Sequence, residues 1–267
     1  AQMIERIQQT LPTDRYPLTV DYVDENEDPV ERALHLSREK KPAGLLFLGG
    51  DRRMYAKSFG EITLPSVVLT TDAARLGFDN LSSVTTDDVE AAECAMEYLL
   101  ESGHRRIGVI AGDLSCSGPS RLRYEGCLLA LERCGLTLPD ECCATARYAF
   151  QDGYDAALRL LEQPGLTAIF AMSDVMAIGA MRALHDRGLR IPEDISVIGF
   201  DGLELGEFYT PKLTTIRQQA SLLVDRGVAL LLGTLERGAV ARHETVPFTL
   251  AVRESTSHPP RKDGTNS

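Results

Sequence analysis

The chain has 267 residues, of which 43% are hydrophobic and 25% are charged, a composition typical of a soluble globular protein. Its 39 acidic and 28 basic residues give a formal net charge of −11, which argues against nucleic-acid binding by this chain on electrostatics alone. No apolar run approaches the roughly 18 residues that a membrane-spanning helix needs.

Helical and strand patterns alternate along most of the chain. The opening residues, AQMIERIQQTL, predict an amphipathic helix and not a signal peptide, because Glu5 and Arg6 interrupt any apolar segment. The predicted strands are Leu18–Val23, Gly44–Leu48, Ser66–Leu69, Ile107–Ala111, Thr167–Met172 and Ile195–Phe200. The predicted helices that alternate with them are Pro29–Lys40, Val89–Ser102, Ser120–Cys134, Gln151–Leu161, Asp174–Asp186 and Gln218–Leu235. Continuous apolar strands separated by helices indicate parallel sheets covered on both faces.

The strands fall into two groups, and we predict an α/β fold of two doubly wound parallel-sheet lobes with a multi-crossing hinge. The crossings are LSSVTTDD, residues 81–88, and LTTIRQ, residues 213–218, and a terminal strand follows at Thr245–Val252. The predicted lobes and tail have the following bounds: residues 1–86 and 219–245 for the N-terminal lobe, 87–218 and 246–256 for the C-terminal lobe, and 257–267 for a disordered polar tail.

Polar residues follow three strands of the predicted second lobe. The strand Ile107–Ala111 leads into a loop, Thr167–Met172 ends at Ser173, and Ile195–Phe200 ends at Asp201 in the segment IPEDISVIGFD. Because parallel strands end at one edge of a sheet, these groups are expected to face a common ligand. Asp174 is predicted to cap the helix that it begins, since aspartate is a preferred N-cap residue.

The cysteines and histidines show no metal-site spacing. The six cysteines lie at irregular intervals without a CxxC pair, so we interpret them as thiols in a reducing cytosol and expect a cytoplasmic protein. His104 precedes a strand, at the edge opposite the expected ligand, and is predicted to be either structural or solvent-exposed. We expect no metal and no cofactor.

The order of several motifs resembles one family. The segments are ESGHRRIGVIAG, SRLRYEGCLLAL, TAIFAMSDVMAIGAMRALHDRGLRIPEDISVIGFDG, TPKLTTIRQ and VREST. Together they resemble the effector-binding core of LacI/GalR-type bacterial transcription regulators, which are related in fold to type I periplasmic sugar-binding proteins. The family's helix-turn-helix, hinge helix and first strand are absent from this sequence, so we expect it to be part of a longer protein.

The resemblance implies seven effector-binding residues. Asp201 is expected to accept hydrogen bonds from adjacent sugar hydroxyls, Arg123 to lie in the cleft, and Tyr148 to stack on a sugar or purine ring, with Phe150 as its rival. Arg121, two residues from Arg123, is expected to point elsewhere. The full set of expected effector contacts is Asp201, Arg123, Tyr148, Ser173, Gln218, Thr70 and Thr86.

Four of these positions carry an alternative or a departure from the family. Ser173 stands where relatives often carry Asn, and Thr70 stands where several sugar-responsive relatives carry Asp. Gln218 fits a structural hinge role equally well. Thr86 stands at a position that is sometimes aromatic in relatives. Together with Thr70 it indicates a smaller or differently shaped ligand, or a ligand with water in the gap.

The resemblance implies a homodimeric transcriptional regulator. A small effector, sugar-like or else a purine, binds between the lobes and controls operator DNA binding through the absent helix-turn-helix. The alternative is an exported solute-binding protein of a sugar transporter. An enzyme is not expected, because GxSxG, P-loop, HExxH and GxGxxG motifs are all absent from the sequence.

Overall fold

The computed structural model describes residues 2–23, 27–115 and 117–260 of the chain. Its α-helices are α1 (Gln2–Thr10), α2 (Pro29–Lys40), α3 (Arg52–Ser58), α4 (Asp88–Glu101), α5 (Pro119–Arg133), α6 (Phe150–Leu160), α7 (Asp174–Asp186), α8 (Leu205–Phe208) and α9 (Ala220–Arg237). Its strands are β1 (Leu45–Leu48), β2 (Ser66–Leu69), β3 (Leu81–Thr86), β4 (Ile107–Ala111), β5 (Cys143–Thr145), β6 (Ala168–Ala171), β7 (Ser196–Asp201), β8 (Thr214–Gln218), β9 (His243–Val246) and β10 (Phe248–Ala251).

The chain divides into two compact units. The first unit comprises the residues up to Asp87, a short segment ending at Pro119, and Gln219–Pro247. The second unit comprises Asp88–Ser115, Ser120–Gln218 and the residues from Phe248 onward. These bounds lie within two residues of the predicted crossings, apart from the short segment ending at Pro119, which the prediction placed in the second lobe.

The sheet of the first unit has the strand order β1-β2-β3-β9, and all of its strands are parallel. Alternate residues of β2 face opposite sides of the sheet, as strand geometry requires. Val67 and Leu69 pack in a core cluster with residues of α9 such as Leu223, whereas Val68 packs in a second cluster with Tyr55 and Phe59. Both faces are therefore covered, which confirms the predicted fold class for this unit.

The sheet of the second unit has the order β10-β8-β7-β6-β4-β5, parallel except for the pairing of β10 with β8. Its core is built from fully buried strand residues packed against α4 to α7. Helices α6 and α7 approach closely at Gly179, which has no side chain. A Cβ atom at this position would lie 2.0 Å from the carbonyl oxygen of Phe150. This approach fixes the starts of both helices beside the carboxyl ends of the strands.

Two predicted strands are wrong, and three elements were not predicted. Leu18–Val23 has no strand partner among the described residues, and Tyr22 is 82% exposed, because an apolar run forms a strand only where another strand pairs with it. The terminal strand is split at Pro247, which has no N–H to donate. Helices α3 and α8 and strand β5 were not predicted.

The predicted disordered tail also begins too early. Ser257 donates its backbone N–H to the Ser196 hydroxyl at 3.0 Å, and its carbonyl oxygen contacts His104 Nε2 at 2.9 Å. A polar composition does not exclude order when the backbone finds partners at the end of a sheet. Residues 261–267 of the predicted tail lie outside the described residues.

Candidate functional site

Five parallel strands of the second unit end at one edge of its sheet, and Asp201 is the last residue of β7. Its backbone φ is 116°, in the region that favours glycine. A strained backbone persists only where surrounding contacts impose it, and such residues concentrate at functional sites. Asp201 therefore combines a ligand-capable carboxylate with an imposed position at the strand end.

Two side chains hold the Asp201 carboxylate. Gln218 Nε2 donates a hydrogen bond to Asp201 Oδ1 at 2.9 Å, and Arg123 Nη1 lies 3.8 Å from the same oxygen. The Asp201 side chain is 30% exposed, so it remains reachable. Burial raises its pKa to about 6, although Arg123 and Gln218 act in the opposite direction. At neutral pH the group is a carboxylate that can accept hydrogen bonds from a ligand.

Arg123 lies beneath the carboxylate, with only 4% of its surface exposed. Its Nε donates to Asp88 Oδ1 at 2.8 Å and its Nη1 donates to the Met172 carbonyl oxygen at 2.6 Å. The guanidinium stacks 3.6 Å from the centre of the Phe200 ring. Burial lowers the pKa of Arg123, but the nearby Asp88 and Asp201 carboxylates prevail and raise it, so the group stays charged.

The arrangement sharpens the prediction for the two arginines. Arg123 was expected in the ligand cleft, and the structure places it at the strand-end edge as a buried support for Asp201. Arg121 is exposed and points elsewhere, with its guanidinium 5.8 Å from the Tyr124 ring. The two side chains diverge because residues two apart on a helix do not share a face.

The capping role that the sequence suggested for Asp174 belongs to Ser173. Ser173, not Asp174, is the N-cap of α7, and its hydroxyl accepts from the Met176 N–H at 3.2 Å. The prediction for Asp174 is therefore wrong: its carboxylate is fully buried and bonded to Thr215 and Leu203. Ser173 is 1% exposed, and its capping bond uses the hydroxyl oxygen as acceptor. As an effector contact Ser173 remains a prediction.

Two exposed aromatic residues lie between β5 and the first turn of α6. Tyr148 is 41% exposed, and its hydroxyl is hydrogen-bonded to the Ser120 hydroxyl. Its ring lies close to Gly112, where a Cβ atom would be 2.9 Å from the ring. Phe150 is 48% exposed as the first residue of α6. Both aromatics offer an apolar face, so the stacking role stays a prediction for either.

The remaining predicted residues end strands of the first unit. Thr70 follows β2 with a φ of 68°, and its N–H donates to the Val84 carbonyl at 2.9 Å. Thr86 ends β3 and is 2% exposed, and its hydroxyl oxygen has no hydrogen-bond partner among the described residues. Both positions are strand ends, as predicted, and they offer hydroxyls in place of charges.

His104 is structural, one of the two roles predicted from its place before β4. It is 1% exposed, with Nδ1 2.9 Å from the Thr167 hydroxyl and Nε2 2.9 Å from the Ser257 carbonyl oxygen. Burial lowers its pKa. Within the described residues no group of His, Cys, Asp and Glu side chains is arranged to hold a metal ion. Across the same residues, no helix has the length and apolar character to span a membrane.

Sequence reasoning missed two residues of the site. Asp88, the first residue of α4, forms the buried ion pair with Arg123, and both side chains are 5% exposed. Phe200 was assigned to the strand alone, yet its ring is the platform for the guanidinium. An aspartate at a helix start and an arginine on the next helix are too common to indicate a pair before the fold is known.

Three comparisons relate the chain to known proteins. Residues 96–256 match the family model of the periplasmic binding protein-like domain. The chain is 30% identical over 261 residues to the HTH-type transcriptional repressor PurR of Pasteurella multocida, covering 95% of this chain and 77% of that protein. It is 35% identical over 221 residues to the ribose operon repressor of Escherichia coli K12, covering 81% of this chain and 66% of that protein.

A solved structure of a similar regulator has a closely similar fold. A crystal structure of a LacI family transcriptional regulator from Enterococcus faecium, with bound ribose, superimposes with a TM-score of 0.82 at 25% identity and covers 96% of this chain and 93% of that chain. The parallel-sheet fold and the sequence similarity indicate the same family. The chain belongs to the LacI family of transcriptional regulators.

Proposed function

We propose that this chain is the effector-binding part of a LacI-type transcriptional regulator, with Asp201 as the anchor for an uncharged, hydroxyl-bearing effector. The observation that carries the proposal is the Asp201 carboxylate, held by Gln218 and Arg123 at the end of β7 on a strained backbone. A carboxylate can accept hydrogen bonds from two hydroxyls at once. Charge-assisted bonds of this kind are stronger than bonds between neutral groups.

A sugar suits the charges of this edge better than an anion does. The side chains of Asp88 and Asp201 together outweigh the single positive charge of Arg123, whose donors are already directed at Asp88 and the Met172 carbonyl. A phosphate or carboxylate ligand would meet unfavourable charge beside Asp201. We take D-ribose as the first probe, because two of the similar proteins are a ribose operon repressor and a ribose-bound regulator. A purine is the second choice.

The effector is proposed to control binding to operator DNA. Coupling requires that the effector bind two conformations of the regulator with different affinity. The chain's net charge of −11 argues that DNA contact is made by a helix-turn-helix elsewhere in the whole protein. Dimerisation through this chain would then match two half-sites of an operator.

The similar proteins favour a transcriptional regulator over an exported sugar-binding protein or an enzyme. The similar proteins are transcriptional repressors, so the alternative of an exported sugar-binding protein is not favoured. The strand-end groups are suited to recognition more than to turnover, because a carboxylate, a buried arginine and hydroxyls offer no nucleophile paired with a base. We propose that the protein is not an enzyme, and that it acts in the cytoplasm.

A thermal-shift screen tests the proposal. The chain is heated with D-ribose, other pentoses, hexoses, sugar phosphates, hypoxanthine or guanine, and binding raises the melting temperature as the ligand exceeds its Kd. We expect a concentration-dependent rise with D-ribose that Asp201→Ala abolishes. The control is Asp194→Ala, which removes an exposed carboxylate paired with Arg190 before β7. No shift with any compound, or an equal shift in Asp201→Ala, would contradict the proposal.

A further inference from the structure

Asp174 is a buried carboxylate that is not among the predicted effector contacts. It is the first residue of α7 and is 0% exposed. The Thr215 hydroxyl donates to its Oδ1 at 2.6 Å, and the Leu203 N–H donates to its Oδ2 at 2.6 Å. One side chain therefore ties together the start of α7, strand β8 and the turn that follows β7.

The surrounding chain is shaped around this carboxylate. Gly199 of β7 pairs in register with Thr215 of β8, and a Cβ atom at Gly199 would lie 2.3 Å from Asp174 Oδ1. A side chain at position 199 would collide with the carboxylate. The glycine two residues before Asp201 is thus required by Asp174, which explains a feature of the segment VIGFD that strand propensity does not.

The arrangement is costly for stability alone. Burial raises the pKa of Asp174 to about 7, and its hydrogen-bond partners are a hydroxyl and backbone N–H groups, not a cation. The three elements are nevertheless joined through this buried group, and one of them is the turn that follows β7. The cost therefore suggests that the position of this turn matters.

The turn that Asp174 holds is the one that carries Asp201. Asp201 has a φ of 116°, which is strained for a residue with a side chain, whereas Gly202 adopts its φ of 76° without strain. Strain of this kind costs on the order of 1–3 kcal/mol and relaxes unless neighbouring contacts prevent it. The Leu203 bond to Asp174 fixes the far end of this turn.

We propose that Asp174 is a positioning residue for effector binding: by accepting the Leu203 N–H it holds the turn Asp201–Leu203 in the conformation that presents the Asp201 carboxylate to the ligand. The predicted effect on ligand binding rests on the proposed function. The predicted effect on the conformation of the turn rests only on contacts within the second unit.

The first test is the structure of the turn without any ligand. Asp174→Leu keeps a side chain of similar shape but removes both acceptor oxygens, and Asp174→Ala serves the same purpose if the leucine variant does not fold. Crystal structures of wild type and variant are compared. We expect the φ of Asp201 to leave the positive region and its Oδ1 to move away from Gln218 Nε2. An unchanged turn in the variant would overturn the proposal.

The second test is the affinity for D-ribose by calorimetry. Loss of the buried acceptor should lower the affinity about tenfold to a hundredfold. Asp174→Asn should restore most of it, because the amide oxygen can accept from Leu203 while the amide nitrogen donates to the Thr215 hydroxyl. Thr215→Val keeps the Leu203 bond and should bind within about threefold of wild type.

A matched control separates positioning from general stability. Ser255 is also 0% exposed, and it accepts from the Thr214 N–H and donates to the Val197 carbonyl, tying β7 to β8 near their amino ends. Ser255→Ala should lower the melting temperature without changing the affinity for D-ribose. Equal losses of affinity in Ser255→Ala and Asp174→Leu would overturn the positioning role. If wild type does not bind D-ribose, that part of the proposed function fails, and the ligand-free structures still decide the role of Asp174.

Discussion

The two units end their parallel strands in chemically different ways. In the second unit the predicted effector contacts include a carboxylate and a guanidinium, Asp201 and Arg123, joined by the buried Asp88. In the first unit they are the hydroxyl residues Thr70 and Thr86. We therefore expect charged, pH-dependent effector contacts from the second unit and weaker, neutral contacts from the first.

The two edges nevertheless share a backbone feature. Among the described residues, the non-glycine residues with positive φ are Lys41, Thr70 and Asp201. Lys41 caps a helix, whereas Thr70 and Asp201 follow or end strands at predicted contact positions. Strain therefore marks both edges, and what separates them is the charge that the strained residue carries.

Removing Arg123 is expected to have the largest effect. Arg123→Ala leaves Asp88 buried without its cation, which should lower the free energy of unfolding by about 3–5 kcal/mol. Urea denaturation measures it. Arg190→Ala, which breaks the exposed pair with Asp194, is the control and should change little. If both variants unfold at the same urea concentration, the second unit's edge is not organised around a buried ion pair.

The pH dependence of effector binding tests the charged edge next. The pKa of Asp201 is about 6, so its carboxylate is lost as the pH falls through that value. The affinity for D-ribose should fall by up to about tenfold per pH unit below pH 6 and level off above pH 7. Of the groups that face Asp201, Arg123 stays charged, Gln218 does not titrate, and Asp88 is held by Arg123.

Two variants distinguish the titration of Asp201 from that of the nearby Asp174, whose pKa is about 7. Asp174→Asn should keep the wild-type fall below pH 6, whereas Asp201→Asn should give a weak affinity that is flat with pH. Calorimetry between pH 5 and pH 8 measures both. A flat profile for wild type would remove the claimed difference between the two edges.

Thr86→Val probes the neutral edge with a smaller expected effect. The Thr86 hydroxyl is buried without a partner among the described residues, so its replacement by a methyl group should raise the free energy of unfolding by about 1 kcal/mol. The affinity for D-ribose should fall only about threefold, the loss of one neutral hydrogen bond. A loss as large as that of Asp201→Ala would make the edges equivalent.

Thr70→Gly should have the smallest effect. Glycine relieves a φ of 68°, worth about 1–2 kcal/mol, but adds about 0.5–1 kcal/mol of backbone entropy to the unfolded chain, so the net gain in stability is below about 1.5 kcal/mol. Lys41→Gly, with a φ of 46° at a helix end, should gain a similar amount. Thermal unfolding compares them. Marked destabilisation by Thr70→Gly alone would show that the hydroxyl, not the backbone, decides stability at this position.

Much of the fold could be predicted because its signals are local. Ser66–Leu69 and Ile107–Ala111 are apolar runs whose bounds the structure reproduces, and Pro29–Lys40 begins after an aspartate that caps it. Leu18–Val23 shows the limit, because its apolar pattern is a strand signal and yet pairing depends on a neighbouring strand. Pro247 shows another, since a single missing N–H divides one predicted strand between two sheets.

The place of Asp201 at a strand end could be predicted, but the residues that support it could not. Asp201 follows from the end of an apolar strand, whereas the burial of Arg123 depends on Asp88, Met172 and Phe200, which are distant in sequence. The cap of α7 was assigned to Asp174 and not to Ser173, because both residue types cap helices. Only the packing against β7 and β8 shows that Asp174 is the enclosed residue.

A crystal structure of the chain with D-ribose tests the central claim most directly, namely that Asp201 anchors the effector at the strand ends of the second unit. We predict two adjacent ribose hydroxyls within about 3 Å of the Asp201 carboxylate oxygens, with Gln218 and Arg123 still in place behind them. Two results would contradict this prediction. One is a ribose bound away from Asp201, and the other is a ribose bound by an Arg123 side chain that has lost its ion pair with Asp88.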